Sequence, residues 1–190
     1  MTINAYKRIL MERLTEKRYL HSLAVADEAV RLAKKYGADP DKAYLAGLLH
    51  DCMKDAPKEE MLQTIERFGI ILTDIEKTSP KLWHAIAGAC FVRRQLDIED
   101  GEIVRAIRYH TTARKDMSLL EKILYLADFT SSDRDYPGVE DMRKAVDAGL
   151  ERAMTEALTF TIVDLAQSGH AIHPDTIGAY NQIMLQKAEA

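Results

Sequence analysis

The spacing of the apolar residues restricts the fold of this chain more than any other feature of its sequence. Apolar side chains recur every three or four positions, and almost no stretch alternates as a strand does. The apolar face is clearest in residues 18–36, where it consists of Leu20, Leu23, Ala24, Ala26, Val30, Leu32 and Ala33. The sequence therefore predicts an all-α bundle of roughly ten helices.

Residues that favour helix ends indicate where these helices begin and stop. Asp39 and Pro40 form a cap and a first-position proline ahead of one helix, and Gly37 follows the helix before it. Ser118 and Glu121 have the spacing of a capping box. We expect helices over residues 2–16, 18–36, 40–51, 58–68, 80–96, 102–109, 118–128, 139–148, 149–167 and 172–187.

Length and charge narrow the class of protein. A chain of 190 residues is long enough for one domain with a sizeable core. Its net charge of −4 provides no basic field for binding nucleic acid, and no apolar stretch approaches the ~20 residues of a membrane span. The N-terminus lacks the features of a signal peptide, so we expect a cytoplasmic protein.

Cys52 and Cys90 are isolated, which favours reduced structural cysteines.

One polar pair, His50-Asp51, interrupts the apolar pattern. It follows the apolar run of residues 43–49, and an imidazole beside a carboxylate is costly to bury unless something pairs with both. A lone histidine near an apolar face is more often a core or cap residue than a ligand. Four predicted helices, however, carry further residues of these types in them or at their ends, namely His21, His84, His110 and Asp128. This pattern favours one shared metal site inside the bundle.

The ligand types indicate which metals such a site would hold. Imidazoles and carboxylates without thiolates suit iron, manganese, zinc or nickel, and they disfavour calcium. Six ligands are enough for two ions if one carboxylate bridges them. Asp51 is the candidate bridge because it lies beside His50.

The order of these residues resembles the H…HD…D signature of the HD-domain phosphohydrolase superfamily, carried here by His21, His50, Asp51 and Asp128. The additional His84 and His110 resemble the branch of that superfamily whose members bind two metals. Lys54 extends the dipeptide to the HDxxK pattern, which is also seen among HD phosphohydrolases. The resemblance implies a single-domain, all-α HD-type bundle.

A closer resemblance, to the bacterial YqeK-type HD proteins, covers nearly the whole chain. The matching stretches are residues 21–26, 46–51, 127–130, 134–139, 142–143 and 172–176. That family is associated with symmetrical hydrolysis of diadenosine tetraphosphate to two ADP. The resemblance also implies that the protein is a homodimer. We expect one HD domain over residues 1–190, with a metal-site core at about 18–130 and C-terminal helices at about 139–187 packed on it.

The resemblance also assigns roles to the metal-type residues. It implies that one divalent transition metal ion is bound by His21, His50, Asp51 and Asp128, with iron or manganese favoured and zinc as a further choice. His84 and His110 either complete a second site with Asp51 or hydrogen-bond phosphate, and both readings stay open. The implied reaction is attack of a metal-activated water on a β-phosphate, with Asp51 and Lys54 as the catalytic residues.

Further residues are candidates for binding the nucleotide. Arg134 follows Asp128 closely, and its guanidinium matches phosphate oxygens, whereas Arg143 equally suits an ion pair on its own helix. Lys54 is placed to neutralise charge on the phosphates. Thr111 directly follows His110. His173 and Pro174 open the last helix, whose free N–H groups attract anions, although His173 equally suits a simple cap.

Two other functions fit the same sequence. One is hydrolysis of another nucleotide, such as a deoxynucleoside triphosphate, guanosine tetraphosphate or a cyclic dinucleotide. The other is a non-catalytic module that senses nucleotide or metal. The complete set of ligand residues favours an enzyme that acts on a small nucleotide.

Overall fold

The computed structural model of the protein describes residues 1–189, which form eleven α-helices and one short 3₁₀ turn and contain no strand. The helices are α1 Ile3–Arg13, α2 Glu16–Tyr36, α3 Pro40–Leu49, α4 Lys58–Arg67, α5 Asp74–Thr78, α6 Trp83–Arg94, α7 Gly101–Tyr109, α8 Leu119–Thr130, α9 Val139–Ala148, α10 Leu150–Gln167 and α11 Pro174–Ala188, with the 3₁₀ turn at Pro80–Leu82. The all-α prediction is confirmed.

The local signals at the helix ends act as the sequence predicts. Asp39 accepts hydrogen bonds from the first backbone N–H groups of α3, and Gly37 ends α2 in a left-handed conformation with φ of 80°. Ser118 and Glu121 form both hydrogen bonds of a capping box at the start of α8.

Two helices begin later than the sequence predicts. Pro80 opens the 3₁₀ turn, because the N–H of Leu82 bonds to the carbonyl only three residues back, and α6 therefore begins at Trp83. It ends at Arg94, since the chain turns at Asp97 with φ of 56°. The last helix begins at Pro174 because the backbone of His173 is extended and its side chain caps the helix.

The core lies among α2, α3, α6, α7 and α8. Helix α2 packs on α3 and α8, whereas α7 packs on α3, α6 and α8. The largest fully buried side chains of these helices include Leu32, Leu48, Leu49, Ile86, Ile107, Ile123, Leu124, Tyr125 and Leu126. Burial of each such aliphatic side chain stabilises the folded state by about 1.5–3 kcal/mol. Helices α9 and α10 pack on α8, and α11 packs on α10.

Gly47 allows the backbones of α2 and α3 to touch. A Cβ at this position would lie 2.7 Å from the Ala26 Cα and 3.1 Å from the Val25 carbonyl oxygen, which is too close for any side chain. The contact fixes the pairing of α2 with α3, the helices that carry His21 and lead into His50. Among residues 1–189, no helix is long and apolar enough to cross a membrane.

We expect Gly47→Ala to lower the free energy of unfolding by about 1–3 kcal/mol, because the new methyl group forces α2 and α3 apart. Gly88→Ala is the matched control, since a Cβ there would make an ordinary contact 3.5 Å from the Cys52 Sγ. The control should be neutral or stabilising by up to ~1 kcal/mol through helix propensity. Urea unfolding measures both, and equal stability of the two variants would contradict the prediction.

Candidate metal centre

Five helices bring the predicted ligands to one place. His21 comes from α2, His50 and Asp51 follow α3, His84 comes from α6, His110 follows α7, and Asp128 comes from α8. The histidine rings form a row in the order His21, His50, His110 and His84, with centroids 5.3, 5.0 and 5.1 Å apart. All six predicted ligand residues therefore lie in one cluster.

Ligand atoms converge in three overlapping groups. One group is His21, His50 and Asp51, the second is His50, His110 and Asp128, and the third is Asp51, His84 and His110. Within each group, one potential ligand atom from each residue lies within 4.8 Å of the others. All of these side chains are buried except that of Asp128, which is partly exposed.

Backbone carbonyls orient three of the four imidazoles. The Nδ1–H groups of His50, His84 and His110 each donate at 2.7 Å to the carbonyl three residues earlier in the chain, which belongs to Gly47, Lys81 and Ile107 respectively. This hydrogen bond fixes the tautomer and makes Nε2 the unprotonated nitrogen that faces the cluster and can bind a metal. The backbone carbonyls of the helices therefore orient these three rings without help from other side chains.

His21 is oriented by a side chain instead. Its Nδ1 lies 2.7 Å from the Oδ2 of Asp133, and its Nε2 lies 3.0 Å from the Oδ1 of Asp128. Donation from Nδ1–H to Asp133 leaves Nε2 as the ligand atom, as in other carboxylate–histidine–metal arrangements. Asp133 also accepts a 2.7 Å hydrogen bond from the Ser131 hydroxyl. Our sequence reasoning missed Asp133, although it lies only five residues after Asp128.

Asp51 lies in the middle of the cluster. Its Oδ1 is 3.1 Å from the His84 Nε2 and 3.5 Å from the His110 Nε2, and its Oδ2 is 3.4 Å from the His50 Nε2. Burial favours the protonated acid, but the neighbouring imidazoles outweigh it and hold the pKa of Asp51 well below its usual range. A charged carboxylate here suits a bridging ligand.

The donor set fits a divalent transition metal. The Nε2 of His50 and the Oδ1 of Asp51 are buried polar atoms that have no hydrogen-bond partner in the protein. Burial also lowers the pKa of His84 to about 4, so its imidazole is neutral and able to bind a metal at neutral pH. Unpaired lone pairs that converge in a buried site are stabilised by a cation among them.

Three cationic side chains surround the cluster. Arg18 donates at 2.8 Å to the Oδ2 of Asp51, and Lys54 donates at 3.1 Å to the Nε2 of His84. Arg134 pairs with the Asp128 carboxylate and also donates at 2.6 Å to its backbone carbonyl. All three are about one-third exposed and so reach solvent at the edge of the site. Arg18 was not predicted from the sequence as a site residue. Its only signal in the sequence is its position one helical turn before His21.

Arg143 holds the loop that carries Asp133 and Arg134. Its guanidinium donates to the backbone carbonyls of Thr130, Ser131 and Arg134 at 3.1, 2.8 and 3.1 Å. It also pairs with Glu140 on its own helix, as the sequence had suggested. Arg143 therefore acts on the site through the loop.

A cavity of about 340 Å³ is lined by Lys81, whose carbonyl accepts from His84, and by Thr111, which directly follows His110. Its lining includes Lys81, Thr111, Thr112, Thr161, His170, His173 and Thr176. Thr111 contributes a buried hydroxyl with no hydrogen-bond partner in the protein. His173 caps α11 by accepting from the Asp175 N–H at 3.1 Å, and its buried Nε2 lies 3.7 Å from the Glu76 Oε1 without a hydrogen bond. Pro174 occupies the first position of α11.

The family model for the HD domain matches residues 18–133, which is more than half of the chain and includes all six ligand-type residues. The chain therefore belongs to the HD domain family.

The chain is also similar over nearly its full length to several bacterial proteins. It is 42% identical over 180 residues to a Halalkalibacterium halodurans protein named bis(5'-nucleosyl)-tetraphosphatase, symmetrical, covering 95% of this chain and 96% of the relative. A Bacillus subtilis protein of the same name is 40% identical over 91% of this chain and 92% of its own length. A solved Clostridium acetobutylicum structure, described as a predicted HD superfamily hydrolase involved in NAD metabolism, aligns with a TM-score of 0.95 and 39% identity over 98% of both chains.

We expect Asp133→Ala to weaken metal binding by ~10- to 100-fold, because His21 loses the carboxylate that orients its ring. Asp135→Ala in the same loop is the matched control, since Asp135 is exposed as Asp133 is, but it is Asp133 that contacts His21. Titration of chelator-treated protein with Mn²⁺ measures both affinities. Equal affinities in the two variants would show that Asp133 has no part in metal binding.

Proposed function

We propose that this protein hydrolyses diadenosine tetraphosphate symmetrically to two ADP. The observation that carries the proposal is the buried cluster of His21, His50, Asp51, His84, His110 and Asp128, with oriented imidazoles and unpaired ligand atoms. It occurs in a chain that aligns with nearly the full length of relatives named symmetrical tetraphosphatases.

We assign one metal ion to His21, His50, Asp51 and Asp128, and a second to Asp51, His84 and His110. The grouping of the ligand atoms supports a shared role for Asp51. Iron or manganese suits this mixture of imidazole and carboxylate, and zinc is a further choice. Bound ions of this kind lower the pKa of a water molecule towards ~7 and neutralise charge on phosphate oxygens.

In the proposed reaction, the oxygen of a water molecule bonds to one β-phosphorus. The bond from that phosphorus to the central bridging oxygen breaks, the second ADP leaves with that oxygen, and the water gives up a proton. Negative charge accumulates on the phosphate oxygens and on the leaving oxygen, where preorganised cations lower the barrier most effectively.

The cations around the cluster are suited to that charge. Lys54 reaches towards the His84 end of the row, and Arg134 reaches towards the Asp128 end. The guanidinium of Arg134 offers a fork of donors for phosphate oxygens. We assign both residues to phosphate contacts, and Lys54 also to stabilisation of the leaving group.

The cavity is suited to one nucleoside. Pockets for small molecules usually have volumes of ~300–1,000 Å³, and the cavity, at about 340 Å³, lies near the lower limit. We propose that the Thr111 hydroxyl and the His173 imidazole hydrogen-bond the nucleotide there. We also propose that Pro174, next to His173, contacts the nucleotide. The unpaired polar atoms of Thr111 and His173 support these assignments.

We further propose that the protein acts in the cytoplasm as a homodimer. We propose a single HD domain over residues 1–190, with the metal core at about 18–130 and the helices at about 139–187 packed on it. The contacts of α9 and α10 with α8 support this division.

With Fe²⁺ or Mn²⁺ present, the purified protein should convert diadenosine tetraphosphate to ADP alone, as measured by chromatography of the products. Asp51→Asn should reduce the rate by at least ~100-fold, because it removes the charged ligand at the centre. Asp74→Asn is the control, since that carboxylate is at the protein surface. Formation of ATP and AMP would exclude symmetrical cleavage, and an active Asp51→Asn variant would exclude the proposed metal centre.

A substrate panel tests the competing functions. Faster turnover of a deoxynucleoside triphosphate, guanosine tetraphosphate or a cyclic dinucleotide would overturn the proposed substrate. Tight binding of nucleotide with metal bound and no turnover would favour a sensing module.

Metal content tests the assignment of His84. We expect about two ions per chain in the native protein and about one in His84→Ala, because the second group loses a ligand. His170→Ala provides an exposed histidine as the control and should retain both ions. Elemental analysis after gel filtration measures the content. Full metal content in His84→Ala, together with a raised KM, would instead assign His84 to phosphate.

A further inference from the structure

The two ends of the histidine row face different surroundings. At one end, residues next to His84 and His110 line the cavity, namely Lys81, whose carbonyl accepts from His84, and Thr111, which follows His110. The other end carries His21, which Asp128 contacts. The two ends of the row therefore differ in the groups that lie beside them.

The proposed substrate has two equal nucleoside halves. Cleavage at the central anhydride leaves one ADP on each side of the reacting phosphorus, so the two adenosines extend away from the metal centre in different directions. A cavity of about 340 Å³ has room for one of them. The second adenosine needs a surface outside this cavity.

An aromatic face lies next to Asp128, the carboxylate that contacts His21. We define it as Phe129, Tyr136 and Phe160. Phe129 directly follows Asp128, and the Tyr136 hydroxyl donates to the Phe129 carbonyl at 3.1 Å. The Phe160 ring lies 5.4 Å from the Tyr136 ring and 6.1 Å from the Phe129 ring, measured between centroids. The face is therefore one packed cluster attached to a metal-ligand helix.

The aromatic face is also accessible and close to positive charge. Phe160 is 42% exposed, although phenylalanine usually buries most of its surface. Arg134 contacts Asp128, and Tyr136 follows it by two residues, which is at most about 7 Å of chain. A phosphate bound by Arg134 therefore leaves the attached nucleoside near Tyr136 and Phe160.

Resting on the proposed function, we propose that the aromatic face binds the second adenine of the dinucleotide, with the base stacked on Phe160 and Tyr136. Stacking uses the π-face that every base has, so this half of the substrate is held with little discrimination between bases. The hydrogen-bonding groups of the cavity then select the first nucleoside.

The test measures binding and turnover separately. Metal-loaded protein is titrated with the diadenosine tetraphosphate analogue whose central bridging oxygen is replaced by methylene, and KM and kcat are measured with diadenosine tetraphosphate. Phe160→Ala should raise the dissociation constant and KM by about 5- to 150-fold, with kcat changed little, because one stacked base is lost. Phe160→Trp should restore both values.

Val163→Ala is the matched control, because Val163 lies one turn along α10 and is 45% exposed. It should leave both constants unchanged. Unaltered analogue binding in Phe160→Ala would overturn the inference, as would equal effects in both variants. A change of oligomeric state in Phe160→Ala by light scattering, without weaker analogue binding, would also overturn it and assign the face to self-association. Absence of ADP release by the native protein would overturn the proposed function alone, since weaker analogue binding by Phe160→Ala would still support the aromatic face.

Discussion

The geometry of the site depends on one buried carboxylate, that of Asp51. A charge this far from water is stable only when other groups compensate it. His84 and His110 approach one oxygen, and Arg18 and His50 approach the other, so α2, α6 and α7 must all meet the end of α3. The tight backbone contact between α2 and α3 serves the same requirement, because a wider separation would draw the α2 groups away from Asp51.

The second layer of the site is built in two ways. At the His84 and His110 end, helix carbonyls three residues back hold the rings, so the bundle itself provides the rigidity. At the His21 end, the support comes from the Asp133 loop, which is held by hydrogen bonds from Arg143. Substitutions in that loop are therefore transmitted to His21, whereas the other rings move only if their helices move.

The chemical difference between the two ends suits a substrate with two equal halves. The chain has one cluster of metal-type residues, a cavity lined by Lys81 and Thr111, and an aromatic face next to Asp128, so two identical nucleosides meet unequal surfaces. In the proposed arrangement, polar groups in the cavity provide selectivity and stacking provides affinity. The two products are then equal because the central anhydride bond of the tetraphosphate lies at the cluster.

Local signals made much of this protein predictable from its sequence. Helical periodicity and the Asp39 and Ser118 caps act within a few residues, and they were enough for the fold class. The six ligand-type residues were identified from their residue types in or at the ends of apolar helices and from the resemblance to the HD signature. Arg18 and Asp133 were missed because their partners Asp51 and His21 lie 33 and 112 residues away. Only helix packing brings those charges into contact, and burial then gives the contact its strength. The sequence alone thus determined the all-α fold and the candidate ligand residues, because both depend on residue type and local pattern, and the tertiary structure decided which groups orient and neutralise those residues.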